Sequence, residues 1–318
     1  MYKTMIKLIA KELINVYSSI GYPLLPITKH IREALRWYYH QNPLLRHDSR
    51  FYLKPALLKL FHRLLVVEHP QDFTIYQDKI KFRSFGSLMS VHGYYVGEIE
   101  YHLVQYIVSQ ICPGFVMLDI GAHHGLYTLI VAYELKMRGW NGVIHSFEPD
   151  PRNYKLLEYN ICQNELDNYV VIHKEAVTNI ESEQTLLIFD QENSGNVLET
   201  CSYVYNYKTI ETALPQSIKT VSLDSISSQL PKIDLIKMDI QGGEHLALVG
   251  AEKIIMRDRP TIVVEAVPKW ETTNAVSEFL INHNYEIYGV NAQGKICELS
   301  SSDIFVSWDW IGLPVVNL

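Results

Sequence analysis

An acid, two histidines and two glycines follow one another in the stretch MLDIGAHHGLYT, residues 117–128. Gly121 and Gly125 let the backbone after the apolar run approach a ligand closely. Their spacing is not the three-glycine fingerprint of dinucleotide-binding loops, and no Gly-Lys-Ser or Gly-Lys-Thr follows, which excludes a P-loop. Asp119 would repel a pyrophosphate but suits S-adenosylmethionine (SAM), which has an ammonium, a sulfonium and ribose hydroxyls. The loop therefore predicts a SAM site, the alternative being a strand–helix turn without a ligand.

The two histidines of this loop, His123 and His124, are adjacent in the chain. Zinc-binding histidines usually lie four residues apart on a helix or converge with distant ligands, whereas neighbouring side chains usually diverge. The sequence therefore predicts no metal site here.

A second acid, Glu148, closes the run VIHSFEPDP. In nucleoside-binding sheets, an acid at the end of the second strand holds the ribose hydroxyls. The glycine loop together with this acid is more specific than either feature alone.

Apolar strands that alternate with amphipathic helices must position these residues. Strands are predicted over 115–120, 142–148, 169–176, 235–240 and 261–265, and helices near 99–111, 126–139, 151–164 and 243–257. Such alternation predicts an α/β fold with a doubly wound, mostly parallel sheet, whose strand ends meet at one edge. Further strands are predicted in 184–190 and 219–226, and 285–299 predicts an antiparallel hairpin that closes the sheet.

The first 90 residues differ from the rest in charge and pattern. They contain 14 Lys and Arg against 6 Asp and Glu, whereas the remainder contains 14 against 29. Helices are predicted over 3–18, 27–41 and 53–66, with a hairpin over 73–84. We interpret 1–90 as a mainly helical segment that serves as a lid, a dimer contact or an acceptor-recognition element, and 91–318 as the catalytic domain. The basic charge of residues 1–90 either serves to bind an anionic partner or lies on helix faces that are exposed to solvent.

Charged residues interrupt the N-terminal apolar run, which excludes a signal peptide, and no uncharged run is long enough to span a bilayer. The four cysteines are far apart and form no CxxC pair, so a reducing, cytoplasmic location is expected. Lys3, Lys7 and Lys11 share one helix face, which leaves membrane-surface contact through residues 1–20 open. The alternative is that this helix packs against the domain.

With these residues in place, residues 93–315 resemble the FkbM family of class I SAM-dependent methyltransferases. The resemblance is carried by LDIGAHHGLYT, SFEPDPRNYKLLEYNICQN, HKEAVTN and IDLIKMDIQGGEHLALVGAEKII. The family usually has Glu where this chain has Gln241, and Asn where it has His123. These departures indicate either an altered substrate or a weakened site. The resemblance implies a Rossmann-like fold, with SAM as cofactor and S-adenosylhomocysteine as product.

The resemblance also implies roles for individual residues. Glu148 would bind the ribose hydroxyls and Glu175 the adenine, unless Glu175 is simply an exposed acid at a strand end. The full set expected at the cofactor is Asp119, Gly121, Ala122, His123, Gly125, Tyr127, Glu148, Pro149 and Glu175.

Methyl transfer requires that the acceptor is aligned and loses its proton. Asp239 ends the fourth strand and should face the shared cleft, as should Glu265 at the end of the fifth. Glu244 and His245 follow at the start of a helix and complete the catalytic candidates, although a first-turn acid is also common for structural reasons. One carboxylate beside Gln241 is a poor donor set for a divalent cation, so no metal is expected.

The expected reaction is O-methylation of a hydroxyl on a sugar, polyketide, lipid-linked or peptide natural product. N-methylation, an NAD-dependent oxidoreductase and a non-catalytic SAM-binding module are the alternatives. The partner is then a small-molecule, glycan or peptide acceptor, and a homodimer stays open. Scattered basic charges without interleaved aromatic residues argue against nucleic acid.

Overall fold

The structure, a computed structural model, describes residues 70–84, 100–189, 196–204, 213–267, 271–291, 294–299 and 309–315. The helices predicted over 3–18, 27–41 and 53–66 lie outside these residues. Within the described ranges, no helix combines the length and the hydropathy that a bilayer crossing requires.

The described chain alternates strands with helices as the sequence predicts. The strands are β1 (Gln71–Ile75), β2 (Ile80–Ser84), β3 (Phe115–Ile120), β4 (Gly142–Phe147), β5 (Val170–His173), β6 (Ala176–Val177), β7 (Ser182–Ile188), β8 (Val197–Leu198), β9 (Leu214–Val221), β10 (Leu235–Met238), β11 (Thr261–Glu265), β12 (Tyr285–Val290), β13 (Ile296–Glu298) and β14 (Asp309–Pro314). The α-helices are α1 (Tyr101–Gln110), α2 (Leu126–Arg138), α3 (Pro151–Gln163), α4 (Glu244–Val249), α5 (Glu252–Asp258) and α6 (Glu271–Asn282).

Eight strands form the central sheet, in the order β13-β12-β14-β11-β10-β3-β4-β5. The five strands from β11 to β5 run parallel, and β14 is antiparallel to both β11 and β12. This confirms the doubly wound, mostly parallel α/β fold and its antiparallel C-terminal strand.

Each face of the sheet buries its own layer of helices. Alternate strand residues point to opposite faces, so Met117 packs with α1 to α3 whereas Leu118 packs with α4 to α6. Every residue of β3 is buried, as expected for a central parallel strand that is covered on both faces.

A second sheet, in the order β6-β9-β7-β8, corrects one sequence prediction. The single strand predicted over 169–176 is two strands: β5 stays in the central sheet, and β6 pairs with β9 in the second sheet. The strand predicted within 219–226 ends at Val221, because the Ser222 hydroxyl caps the 3-10 helix Leu223–Gln229 by accepting from the backbone N–H of Ser225.

The helix predicted over 243–257 is two short helices, α4 and α5. The break follows Gly250, where an added Cβ would overlap the carbonyl oxygen of Thr178. At the break, the Gly250 carbonyl accepts a hydrogen bond from the Asp224 backbone N–H. Only glycine therefore permits this close approach.

The hairpin predicted over 73–84 is formed by β1 and β2, which are antiparallel. Its apolar face enters the same core as α1 and α2, and its backbone is bonded by side chains of α3. The hairpin thus packs with the sheet although it precedes residue 90, where the sequence places a domain boundary, and that boundary stays a prediction.

Candidate functional site

A cleft opens where β3, β4 and β10 end, with about 630 Å³ of empty space that includes open solvent, and the second sheet forms its opposite wall. The residues predicted for the site that line it are Gly121, His123, Glu148, Pro149, Glu175 and Asp239. The second sheet contributes apolar side chains, namely those of Ala176, Val177, Leu186 and Leu198. The cleft therefore combines an apolar wall with carboxylates at its rim.

The glycine loop is shaped by contacts inside the protein. At Gly121 the φ angle is 78°, and an added Cβ would overlap the carbonyl oxygen of Asp239. Gly125 has φ 94°, and an added Cβ would lie 2.6 Å from Leu157 Cδ1. The loop is held by the Phe147 carbonyl, which accepts from the N–H groups of residues 121 and 122 at 3.0 Å. These glycines are thus required for packing, apart from any ligand.

Glu148 lies at the centre of the cleft rim and is only 5% exposed. Its Oε2 accepts the backbone N–H of His123 at 2.8 Å, and Oε1 accepts the backbone N–H of Asp150 at 3.0 Å. Burial raises the pKa of Glu148 to about 7. The backbone hydrogen bonds fix this carboxylate in place at the mouth of the glycine loop.

The acceptor-side candidate Asp239 is bridged to Glu265. The Gln241 side chain donates from Nε2 to Asp239 Oδ1 and to Glu265 Oε2, at 3.1 Å each. Burial and the Asp239 carboxylate raise the pKa of Glu265 well above its ordinary value. A glutamate at position 241 would add a third carboxylate, so Gln241 supplies the donors that the pair needs.

Lys237 is a buried counter-ion that our sequence analysis did not assign to the site. Its Nζ lies 3.6 Å from Asp239 Oδ2 and 3.8 Å from Asp119 Oδ1, and its side chain is 6% exposed. Burial alone would raise the pKa of Asp239, but Lys237 and the Gln241 amide outweigh it and lower that pKa. The available signal was a lysine inside an otherwise apolar strand, two residues before an acid and therefore on the same face.

Four residues expected at the cofactor lie outside the cleft lining. Asp119 is fully buried, and its Oδ2 accepts from the Thr128 hydroxyl at 2.6 Å. Tyr127 is 5% exposed and donates its hydroxyl proton to Glu100, which precedes α1. Ala122 and Gly125 shape the loop from behind and do not line the cleft either.

Glu244 is 1% exposed and lies beneath the loop after β10. Its Oε1 accepts the backbone N–H of Ile240 at 2.9 Å, and burial raises its pKa to about 7. His245 is half-buried near Glu278 of α6, and burial lowers its pKa. Neither residue lines the cleft, so the geometry favours the structural interpretation of Glu244 that the sequence left open.

We therefore expect Glu244→Gln to leave SAM affinity within about twofold, because the amide oxygen still accepts the Ile240 N–H. Glu244→Leu, which has no acceptor, should lower the free energy of unfolding by about 1–3 kcal/mol. Calorimetric titration with SAM and urea denaturation measure the two effects. A stable Glu244→Gln protein that no longer transfers methyl groups would instead make Glu244 the base.

The side chains that line the cleft suit the chemical groups of SAM. Apolar side chains of the second sheet fit a flat adenine ring, and the Glu148 carboxylate can accept hydrogen bonds from ribose hydroxyls. Asp239 at the other end offers a negative charge toward the sulfonium.

Residues 119–287 match the family described as the methyltransferase FkbM domain. A comparison with curated protein sequences finds no significant match. Among solved structures, methyltransferase FkbM from Methylobacillus flagellatus is similar at 15% identity and a TM-score of 0.42, covering 83% of this chain. The chain spans 60% of that protein's length.

Two further structures are similar. The SAM-dependent O-methyltransferase from Thermotoga maritima has 10% identity and a TM-score of 0.37, covering 68% of this chain and 65% of its own. The Pyrococcus abyssi tRNA (uracil-54, C5)-methyltransferase in complex with S-adenosyl-L-homocysteine has 13% identity and a TM-score of 0.40, covering 78% and 45%.

Proposed function

The chain belongs to the FkbM family of SAM-dependent methyltransferases, and we propose that it methylates a hydroxyl oxygen of a sugar, polyketide, lipid-linked or peptide natural product. The observation that carries the choice of oxygen is the Asp239 carboxyl group, which lines the cleft and lies 3.6 Å from the Lys237 ammonium. A carboxylate accepts a hydrogen bond from a hydroxyl and takes its proton. The same negative charge would stabilise the ammonium form of an amine, which has no lone pair to attack a methyl group.

When bound, SAM supplies an electrophilic methyl group and leaves as S-adenosylhomocysteine. Asp239 would orient the acceptor hydroxyl and take its proton as the oxygen receives the methyl group. Gln241 fixes the orientation of the Asp239 carboxylate through its hydrogen bond to Oδ1. Lys237 keeps that carboxylate ionised, so that a negative charge faces the acceptor.

The cofactor side of the proposal assigns the ribose hydroxyls to Glu148 and the adenine to the apolar wall beside Glu175. Both carboxylates line the cleft, and the buried Glu148 is the better fixed of the two.

Glu148→Gln should weaken S-adenosylhomocysteine binding by about 10- to 100-fold, since hydrogen bonds to a charged group are lost. Because the pKa of Glu148 is raised to about 7, its carboxylate is ionised above that value. The affinity of the wild type should therefore fall as pH decreases below about 7, and the variant should lose this dependence. Calorimetric titration across pH tests both effects, with the exposed Glu158→Gln as control. An unchanged affinity would remove Glu148 from the cofactor site.

The proposed reaction is tested with methyl-labelled SAM and a panel of hydroxyl acceptors from the four classes, beside a matched panel of amines. Label that transfers to a hydroxyl supports the proposal, and label that transfers only to amines replaces it with N-methylation. Titration with NAD and SAM is the second arm. Affinity for NAD with none for SAM would indicate an oxidoreductase, and SAM binding without any transfer would indicate a binding module.

A further inference from the structure

A series of buried hydrogen bonds connects the β1–β2 hairpin to the cofactor cleft. We propose that Ser84 and His124 are positioning residues, which hold the Glu148 carboxylate in its cofactor-binding orientation through Asn153. This inference rests on the proposed function, because it takes Glu148 as the residue that binds the ribose. It gives the hairpin, which precedes the predicted catalytic domain, a direct part in cofactor affinity.

Four side chains form the series, which we call the Ser84–Glu148 relay. Ser84 Oγ lies 2.7 Å from His124 Nδ1, and His124 Nε2 lies 3.0 Å from Asn153 Oδ1. Asn153 Nδ2 then donates to Glu148 Oε1 at 3.4 Å. All four side chains are at least 95% buried, so water does not compete for these bonds.

The donors and acceptors of the relay follow a single order. Because the amide nitrogen of Asn153 donates to Glu148, its oxygen accepts, and His124 must therefore donate from Nε2. Nδ1 of a neutral ring is then an acceptor, and the Ser84 hydroxyl donates to it. Burial lowers the pKa of His124 well below its ordinary value, which keeps the ring neutral as this order requires.

His124 also packs on the residue that bonds the second oxygen of Glu148. Its ring stacks on the ring of His123, with centroids 3.6 Å apart, and the His123 backbone N–H donates to Glu148 Oε2. Asn160 links the glycine loop to the hairpin, because its Nδ2 donates to the carbonyl oxygens of His124 and Arg83. Oε1 of the carboxylate thus accepts the relay bond beside the Asp150 backbone N–H, and Oε2 accepts from the residue on which His124 stacks.

The matched control is a hairpin contact that lies outside the relay. Asn164 of the α3 C-terminus bonds the Lys81 backbone through Oδ1 and Nδ2, at 2.9 and 2.7 Å. Asn164→Ala removes these contacts between hairpin and domain without altering any side chain of the relay. It therefore separates hairpin docking in general from the specific orientation of Glu148.

The experiment measures S-adenosylhomocysteine affinity by calorimetry and thermal unfolding of the full chain, for the wild type, Ser84→Ala, His124→Phe and Asn164→Ala. We expect about fivefold weaker binding for Ser84→Ala and at least as large a loss for His124→Phe, which keeps ring stacking but has no ring nitrogen. Asn164→Ala should unfold at a lower temperature and bind within about twofold of the wild type.

The proposal is overturned if Ser84→Ala and His124→Phe bind as the wild type does. It is equally overturned if Asn164→Ala loses as much affinity as Ser84→Ala, since general docking of the hairpin would then explain the effect. A wild-type chain that binds no S-adenosylhomocysteine would refute the proposed function itself and remove the premise of the relay. Because affinity is read directly, none of these results depends on knowing the acceptor.

Discussion

Replacing Lys237 by methionine should lower the free energy of unfolding by about 3–5 kcal/mol at pH 7, because the buried Asp119 and the partly exposed Asp239 lose their shared counter-ion. Asp119 lies opposite the lysine on the adjacent strand β3, and Asp239 directly follows the lysine's own strand, at 3.8 and 3.6 Å from Nζ. Methionine fills a similar volume, so the loss reports charge more than packing. Urea denaturation measures it, with the exposed Lys253→Met as a control that should change stability by less than about 0.5 kcal/mol.

The destabilisation should depend on pH in a defined direction. In the wild type, Lys237 helps to lower the pKa of Asp239. A lowered pKa stabilises the fold at pH values above the pKa of the unfolded state, and this stabilisation is lost as pH falls. In the variant, burial without the lysine raises the folded-state pKa of both acids. This lowers the free energy of unfolding only at pH values at which the acids ionise. The difference between the two proteins should therefore shrink as pH decreases toward 4. A constant difference across pH would show that packing, and not charge, explains the loss.

The sequence placed Asp119 at the cofactor, but the structure gives it a buried partner because of strand register. Asp119 is paired with Lys237 across β3 and β10, and both side chains point to the face covered by α1 and α2. The alternation along β3 shows that Asp119 shares a face with Met117. Only the pairing of β3 with β10 shows that Lys237 lies beside it. Register joins residues 118 positions apart, which local pattern does not encode.

The second sheet could not be assembled from the sequence for the same reason. The runs in 184–190 and 219–226 were recognisable as strands from their composition. The pairing of β9 with β6 and with β7, and the place of Leu186 in the wall of the cleft, depend on contacts between distant segments. By contrast, Asp239 and Glu148 follow from a general rule, because parallel strands bring their carboxyl ends to one edge.

Gln241 departs from the family pattern, and its role is visible only from its contacts in the structure. From the sequence it indicated either an altered substrate or a weakened site. In the structure its amide donates to both Asp239 and Glu265. The acceptor side thus has one acid whose pKa is lowered beside one whose pKa is raised, an arrangement that a third carboxylate would disturb.

Asp239→Asn should reduce methyl transfer by about 100- to 10,000-fold, the range that loss of a positioned general base usually costs. Asparagine keeps the size of the side chain and an oxygen that can accept from Gln241, so the loop after β10 should stay in place. Affinity for S-adenosylhomocysteine should stay within about threefold, because the proposed ribose and adenine contacts lie on Glu148 and the second sheet.

Label transfer from SAM to the acceptor found in the panel measures the rate of methyl transfer, and calorimetry measures the affinity for S-adenosylhomocysteine. The exposed Asp167→Asn is the control, with turnover expected to equal that of the wild type. If Asp239→Asn retained more than about a tenth of the wild-type rate, the proton would have to leave through another group. Glu265 would be the next to test, because it shares the Gln241 amide and lies at the end of the adjacent strand.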